Sequence, residues 1–356
     1  MPRGVRGTAL NSYFYLLFLG IFFLLAALLM VLPVFYYLLW PWRRRRDRLF
    51  SFLDDASVLA YYEQFHKGVG AGTAPTLATF ERHFGVVYGR RNYLPPLVLL
   101  VIATILAALV GTPTVLHIQG LVRHPYAMSL VAASALAGGY AWAAQDLLDR
   151  TFRGDLNAVD IYRAVARILL AIPLGWSLAQ VAKEPVGAPI AFLIAGFPTG
   201  TIFKFGRRIV SSKLGMGDDP DTGLELEKLQ SVTKTNAERF YDAGVSTIVQ
   251  LAYADPIDLC IRTGFDFNYV IDCASQALLW IYMGDLTPKL AKYSLRGAQE
   301  VHTLVQDLED PASKVAAEAL VQEVATLSGV SAVAMKATFE QVAEDPYTKF
   351  ILSIWH

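Results

Sequence analysis

Residues Tyr13 to Trp40 read YFYLLFLGIFFLLAALLMVLPVFYYLLW, and Pro41, Trp42 and the run Arg43-Arg44-Arg45-Arg46 follow directly. A helix needs roughly 20 mostly apolar residues to cross a bilayer, and this stretch is longer and carries no charge. It also exceeds the roughly 7–15 apolar residues of a secretory leader and lacks a small-residue cleavage site. The expected element is therefore a retained anchor with a basic stop-transfer flank.

Four further stretches are apolar enough to join it: Leu94–Leu116, Tyr126–Leu147, Ala164–Ala182 and Ala188–Phe205. Over 356 residues, 54% are hydrophobic and 17% charged, more apolar than a soluble protein carries. The expected fold class is all-α: a polytopic membrane helix bundle of about five spans, followed by a helical C-terminal domain. The chain divides into residues 1–48 (first span and arginine flank), 49–93 (an amphipathic insert), 94–208 (spans two to five), 209–223 (a linker) and 224–356 (the tail).

Orientation follows from loop charge. Arg43–Arg46, Arg48, Arg90 and Arg91 follow span one, and Arg150, Arg153 and Arg163 lie between spans three and four; the alternate loops hold Arg123 and Lys183. These place the N-terminus outside, and the insert and tail in the cytoplasm at the plasma (inner) membrane. Charge also divides along the chain, with 20 Lys/Arg against 10 Asp/Glu through Arg208 and 11 against 21 from Ile209 on. An acidic tail is the reverse of what a grip on phosphate backbones requires.

Within the spans, Ala135, Gly139 and Ala143 form a small-residue strip that lets helix backbones approach, either inside one subunit or between subunits. Gly196-Phe-Pro-Thr-Gly-Thr201, with Pro198 and Gly200, reads either as a broken helix offering carbonyls to an ion or as a kink. Asp146, Asp149, Arg163 and Arg167 gather where spans three and four meet the cytoplasm, at ordinary spacings for helix ion pairs. No acidic or basic residue is expected in the middle of a span, which argues against active transport.

The insert carries Phe50, Leu53, Leu59, Tyr62 and Phe65, then Leu77, Phe80, Phe84 and Val87, at amphipathic helical spacing. Its helices are expected along the membrane surface or packed under the bundle. His66 and His83 lack a third ligand, so they are read as ordinary polar residues and no metal site is expected. Gly68-Val-Gly-Ala-Gly-Thr lacks the Lys-Ser/Thr ending of a phosphate loop. No nucleophile elbow, dinucleotide fingerprint or paired-cysteine motif occurs, so neither an enzyme nor a cofactor is expected. Cys260 and Cys273 read as buried thiols.

In the tail, Leu229-Gln-Ser-Val-Thr-Lys-Thr-Asn-Ala237, then Phe240-Tyr-Asp-Ala-Gly-Val245, Ile248 and Leu251, resembles a helix-hairpin-helix unit, with a weaker echo around Ser294-Leu-Arg-Gly297. The resemblance covers about residues 226–304. In that family a Leu-x-Gly-hydrophobic-Gly turn lets backbone N–H groups meet a DNA phosphate. Here Ser231 and Thr233 occupy the glycine positions, which argues against phosphate contact, while Gly244 keeps a turning glycine. Basic residues that could still touch nucleic acid are Lys228, Lys234, Arg239 and Arg262. Three functions remain: a membrane scaffold or signalling protein that oligomerises through its spans and binds protein with its acidic tail; a subunit of an oligomeric pore; and a membrane tether for nucleic acid, the least favoured.

Overall fold

The computed structural model describes residues 4–66, 75–118, 128–181, 184–196 and 225–354. Every regular element among them is helical. The chain divides into two compact units: residues 1–44 with 87–217, and residues 45–86 with 218–356. The linker expected over 209–223 lies outside the described residues.

The first unit contains α1 (Gly4–Leu39), α5 (Leu94–Ile118), α6 (Leu130–Arg153), α7 (Ala158–Val181) and α8 (Glu184–Gly196). Three stretches are helical, long and apolar enough to cross a membrane: Leu24–Ser51, Leu77–Gly111 and Ala158–Val181. The charge-free part of the second begins at Leu94, where α5 begins. Outward faces keep large apolar side chains exposed, among them Leu25 and Leu32 on α1, Ile105 and Leu109 on α5, and Leu170 and Trp176 on α7. Contiguous apolar surface of this kind is unfavourable in water and matches lipid.

Helix α6, expected as the third span, is not among those three. It starts later than the expected Tyr126, where Ser129 accepts a hydrogen bond from Ala132 N at 3.2 Å. Beyond Leu147 it runs on to Arg153 and ends on left-handed Gly154. Its Ala- and Gly-rich face is buried at Ala132, Ala135, Gly138, Gly139, Ala143 and Ala144. A helix packed against α1, α5, α7 and α8 has little surface that needs large lipid-facing side chains. Its low hydropathy thus reflects packing. α7 also begins earlier than expected, at Ala158, so Arg163 joins Arg167 within the helix.

The second unit joins the insert helices α2 (Pro41–Ser51, from Arg45 on), α3 (Asp55–Phe65) and α4 (Leu77–Val87) with the tail. The insert therefore does not stand apart from the C-terminal domain: α3 packs on α17 (Pro346–Ile354), with Phe65 against Phe350 at 5.4 Å between ring centroids. Its aromatic face has found a protein core. The tail is built from α9 (Lys234–Asp242), α10 (Ile248–Ala252), α11 (Pro256–Thr263), α12 (Phe267–Met283), α13 (Thr287–Leu290), α14 (Ala298–Glu309), α15 (Lys314–Ser328), α16 (Ala332–Glu344) and α17. Helix α12 forms the centre, with Val270, Ile271, Cys273, Ala277, Leu278 and Leu279 fully buried.

One turn design recurs through this unit. Ser231, Gly244, Gly264, Ser294 and Gly329 all take the left-handed conformation, with φ of 73°, 89°, 72°, 63° and 73°. Each is followed by one hydrophobic residue (Val232, Val245, Phe265, Leu295, Val330) and then by a helix cap. The cap comes two residues after Ser231, Gly264 and Gly329, at Thr233, Asp266 and Ser331, and three after Gly244 and Ser294, at Thr247 and Gly297. The first of the longer versions closes a capping box, with Gln250 accepting from Thr247 N at 3.3 Å and Thr247 Oγ1 from Gln250 N at 3.1 Å; in the second, whose cap Gly297 has no side chain, Glu300 alone accepts from Gly297 N at 2.9 Å. Serine in this region costs about 1–2 kcal/mol of backbone strain, which its short polar side chain tolerates better than a branched one would.

Candidate functional site

Two clusters hold polar groups away from water. The first is where the insert grips α11 at both ends. At its N-terminus, Asp255 accepts from Ile257 N at 2.9 Å and Asp258 N at 3.1 Å, and its other oxygen accepts from Tyr61 Oη at 2.8 Å. At its C-terminus, Arg45 donates to Cys260 O at 2.6 Å and also to Ile261 O. Arginine on the exposed carbonyls of a helix end complements its dipole. Arg48 pairs with Asp266 at 3.3 Å, and Phe52 stacks on Phe267 at 5.9 Å.

Tyr61 links this grip to the two histidines. Its hydroxyl lies 3.2 Å from His66 Nε2, and the His66 and His83 rings are 4.9 Å apart. Burial, and then the charge of His66, push His83 below its usual value, with Asp255 opposing. Burial raises the Asp255 carboxyl, opposed by its bond from Tyr61. Two histidines that sequence alone marks as ordinary polar residues thus sit together beside a half-hidden carboxylate. Among the described residues no group of three His, Cys, Asp or Glu could hold a metal ion. Cys260 and Cys273 are buried and unlinked, and burial pushes the Cys273 thiol up to about 12 and that of Cys260 higher, which makes both poor nucleophiles.

The second cluster lies in the seam of α6, α7 and α8. Arg150 bonds both oxygens of Asp146 at 3.1 Å and reaches Asp160 at 3.4 Å; Asp160 also takes Arg163 at 3.2 Å and Asn157 N at 2.9 Å. Two helical turns further along α7, Arg167 is 9% exposed. It donates from Nε to Ala195 O at 2.8 Å and lies over the Trp142 ring at 4.7 Å. Its Nη2 is buried without a hydrogen-bond partner among the described residues. Helix approach is close here, since a Cβ on Gly138 would stand 2.1 Å from Phe192 O and one on Gly139 2.9 Å from Ala171 Cβ.

Of the residues singled out from sequence, Ala135 and Gly139 face this seam, and Ala143 is buried in the core that α6 shares with α1, α5 and α7. Gly196 ends α8, while Pro198 and Gly200 lie outside the described residues. The four basic residues do not share one cluster of contacts. Lys228 lies over Trp280, Arg239 over Phe265, and Arg262 bonds Ala243 O and Asp258, while Lys234 is exposed at the start of α9. Arg167, Tyr61 and Asp255 were not picked out as sites. A single basic residue among Ala164-Val-Ala-Arg-Ile-Leu-Leu170 was the available signal for the first.

Comparison with family models, with curated proteins and with solved structures finds no match to this chain.

Proposed function

We propose that this chain is an integral membrane scaffold or signalling protein that binds a protein partner through its acidic helical unit. In this reading five helices, α1 and α5 to α8, cross the plasma (inner) membrane with the N-terminus outside, and the tail lies in the cytoplasm. Three apolar helices support the membrane assignment, and the arginine-rich loops support the orientation. Left-handed Ser231 and Ser294, each preceding a capped helix, support kinship of the tail with helix-hairpin-helix units as a scaffold rather than as a DNA grip.

The observation that carries the partner assignment is the last of the five turns. In the first four, the hydrophobic residue after the left-handed position is buried or half-buried; in the fifth, Val330 is 46% exposed and Val333 beside it 80%. Residues 298–356 around this tip hold three lysines against nine aspartates and glutamates. An apolar tip in an acidic field suits a basic, amphipathic helical segment of another protein.

The test is native mass spectrometry of gently extracted, nanodisc-embedded particles. The expected particle carries a second protein that Val333→Asp removes without unfolding the chain. A bare monomer from native membranes would sink the proposal. Copies associating through their spans would have to use outward faces such as that of α5, because the Ala135–Gly139–Ala143 strip is occupied within the chain.

A further inference from the structure

We propose that Arg167 is the anion-holding residue of a ligand site inside the α6–α7–α8 seam, taking a phosphate oxyanion on its unpartnered Nη2. The inference goes beyond partner binding by the tail, and takes from that reading only that this unit sits in lipid. An arginine sunk in an apolar bundle is costly unless its charge and donors are met. Here they are met in part. Nε is satisfied by Ala195 O at 2.8 Å, and Trp142 covers one face of the guanidinium at 4.7 Å, a cation–π contact that supplies no hydrogen-bond acceptor. Its Nη2 donor is buried with no acceptor among the described residues.

The nearby carboxylates cannot supply one. Asp160 stands seven residues earlier on α7, about 10 Å along the axis, and is already engaged by Arg150, Arg163 and Asn157. Asp146 is held by both of its oxygens on Arg150. The acids in this network are thus committed to other arginines, and Arg167 keeps its charge for an outside group. With one ring face covered and Nε taken, an oxygen acceptor lying in the guanidinium plane on the Nη2 edge would make a charge-assisted bond there. Glycine at 138 and 139 is what lets α7 and α8 close on α6 around Arg167: a side chain at either position would hold α8 or α7 away and open the Arg167–Ala195 bond.

The oxyanion has two sources, the headgroup of an anionic phospholipid and free inorganic phosphate. The full chain is placed in nanodiscs of phosphatidylcholine, of phosphatidylcholine with phosphatidylglycerol, and of phosphatidylcholine with added inorganic phosphate. Retained adducts are read by native mass spectrometry and unfolding temperature is read alongside. One retained phosphatidylglycerol per chain assigns the lipid source, and stabilisation by phosphate the free one. In Arg167→Gln that binding weakens by about tenfold to a hundredfold, the value of a hydrogen bond to a charged group, and Arg167→Lys restores part of it.

A residue that merely props α8 gives a different result: Arg167→Gln lowers the unfolding temperature equally in all three membranes and leaves the adducts unchanged, which overturns the proposal. If Arg167→Gln does not fold, wild-type protein still decides. Either cross-linking of a photo-reactive phosphatidylglycerol in the seam, for the lipid source, or protection by inorganic phosphate of Trp142 from oxidative footprinting, for the free one, is expected. Labelling that maps elsewhere, together with no protection of Trp142, overturns it as well.

Discussion

Gly138→Ala tests the central packing of the membrane unit with one methyl group. The added Cβ would lie 2.1 Å from Phe192 O, 2.9 Å from its carbonyl carbon and 3.0 Å from its Cα, all backbone atoms that no rotamer change can move. Helix α8 must therefore retreat by about 1 Å before the first contact reaches even 3.0 Å. Overpacking of this kind costs about 1–3 kcal/mol. The retreat also pulls Ala195 O from Arg167 Nε, now at 2.8 Å, and a lost bond to a buried charge adds about 1.5–3 kcal/mol. Alanine returns about 1 kcal/mol through helix propensity, leaving a net loss of about 1.5–5 kcal/mol. The assay is reversible denaturant unfolding of the micelle-embedded chain followed by helix content. Gly111→Ala, whose Cβ meets nothing within 4 Å, serves as the control and should be neutral or slightly stabilising. Equal midpoints for the two variants would refute the packing argument.

The same variant separates the two uses of a small-residue strip. Packing inside one chain predicts loss of stability at constant particle mass. An interface between chains predicts a lighter particle from a monomer as stable as before, and that outcome would contradict the burial of Ala135 and Ala143.

Three further outcomes follow from the C-terminal unit. Ser231→Gly relieves a φ of 73° and should stabilise the chain by about 0.5–1 kcal/mol in thermal or denaturant unfolding; destabilisation would mean that the serine side chain contributes more than the strain costs. Arg45→Met removes the donor to Cys260 O and Ile261 O and should cost about 1.5–3 kcal/mol, read as faster amide exchange in Pro256–Thr263 and in α3. His83, held below its usual value by burial and by His66, contributes stability that is present above the unfolded histidine value and lost as pH falls through the lower folded one. The raised Asp255 carboxyl has the opposite sign, its contribution fading as pH rises through its folded value. The groups facing His83 here are His66, Tyr62 and Asp255, so the comparison of His83→Gln with wild type between pH 7 and 5 isolates the histidine; parallel curves would remove it as the titrating group.

Membrane character was legible because a charge-free stretch such as Leu94–Gly111 has few alternatives to a bilayer. The buried helix α12 was legible for a related reason: it is nearly as apolar but too short to span. Boundaries were less so. Helices α6 and α7 run past their apolar segments into Asp146, Arg150 and Asp160, since charged residues that pair with one another continue a helix as readily as leucine does. The fate of the insert was hidden for a different reason. Amphipathic spacing shows that Phe65 and Phe80 need an apolar partner but not which one, and the partner, Tyr347 and Phe350 for Phe65, lies far along the chain.

Arg167 shows where such reading stops. From sequence it joined the cytoplasmic group of Asp146, Asp149 and Arg163, because a basic residue near the end of an apolar run is ordinarily at the interface. Extending α7 back to Ala158 moves that end by almost two turns and leaves Arg167 further from it, with Asp160 taken by Arg150 and Arg163. The helix start is set by Asp160, which accepts from Asn157 N at 2.9 Å and caps the first turn. What makes this arginine the charged centre of a buried seam is its contact with Ala195 O on α8 and Trp142 on α6, and hydropathy averaged over a window contains no information about those contacts.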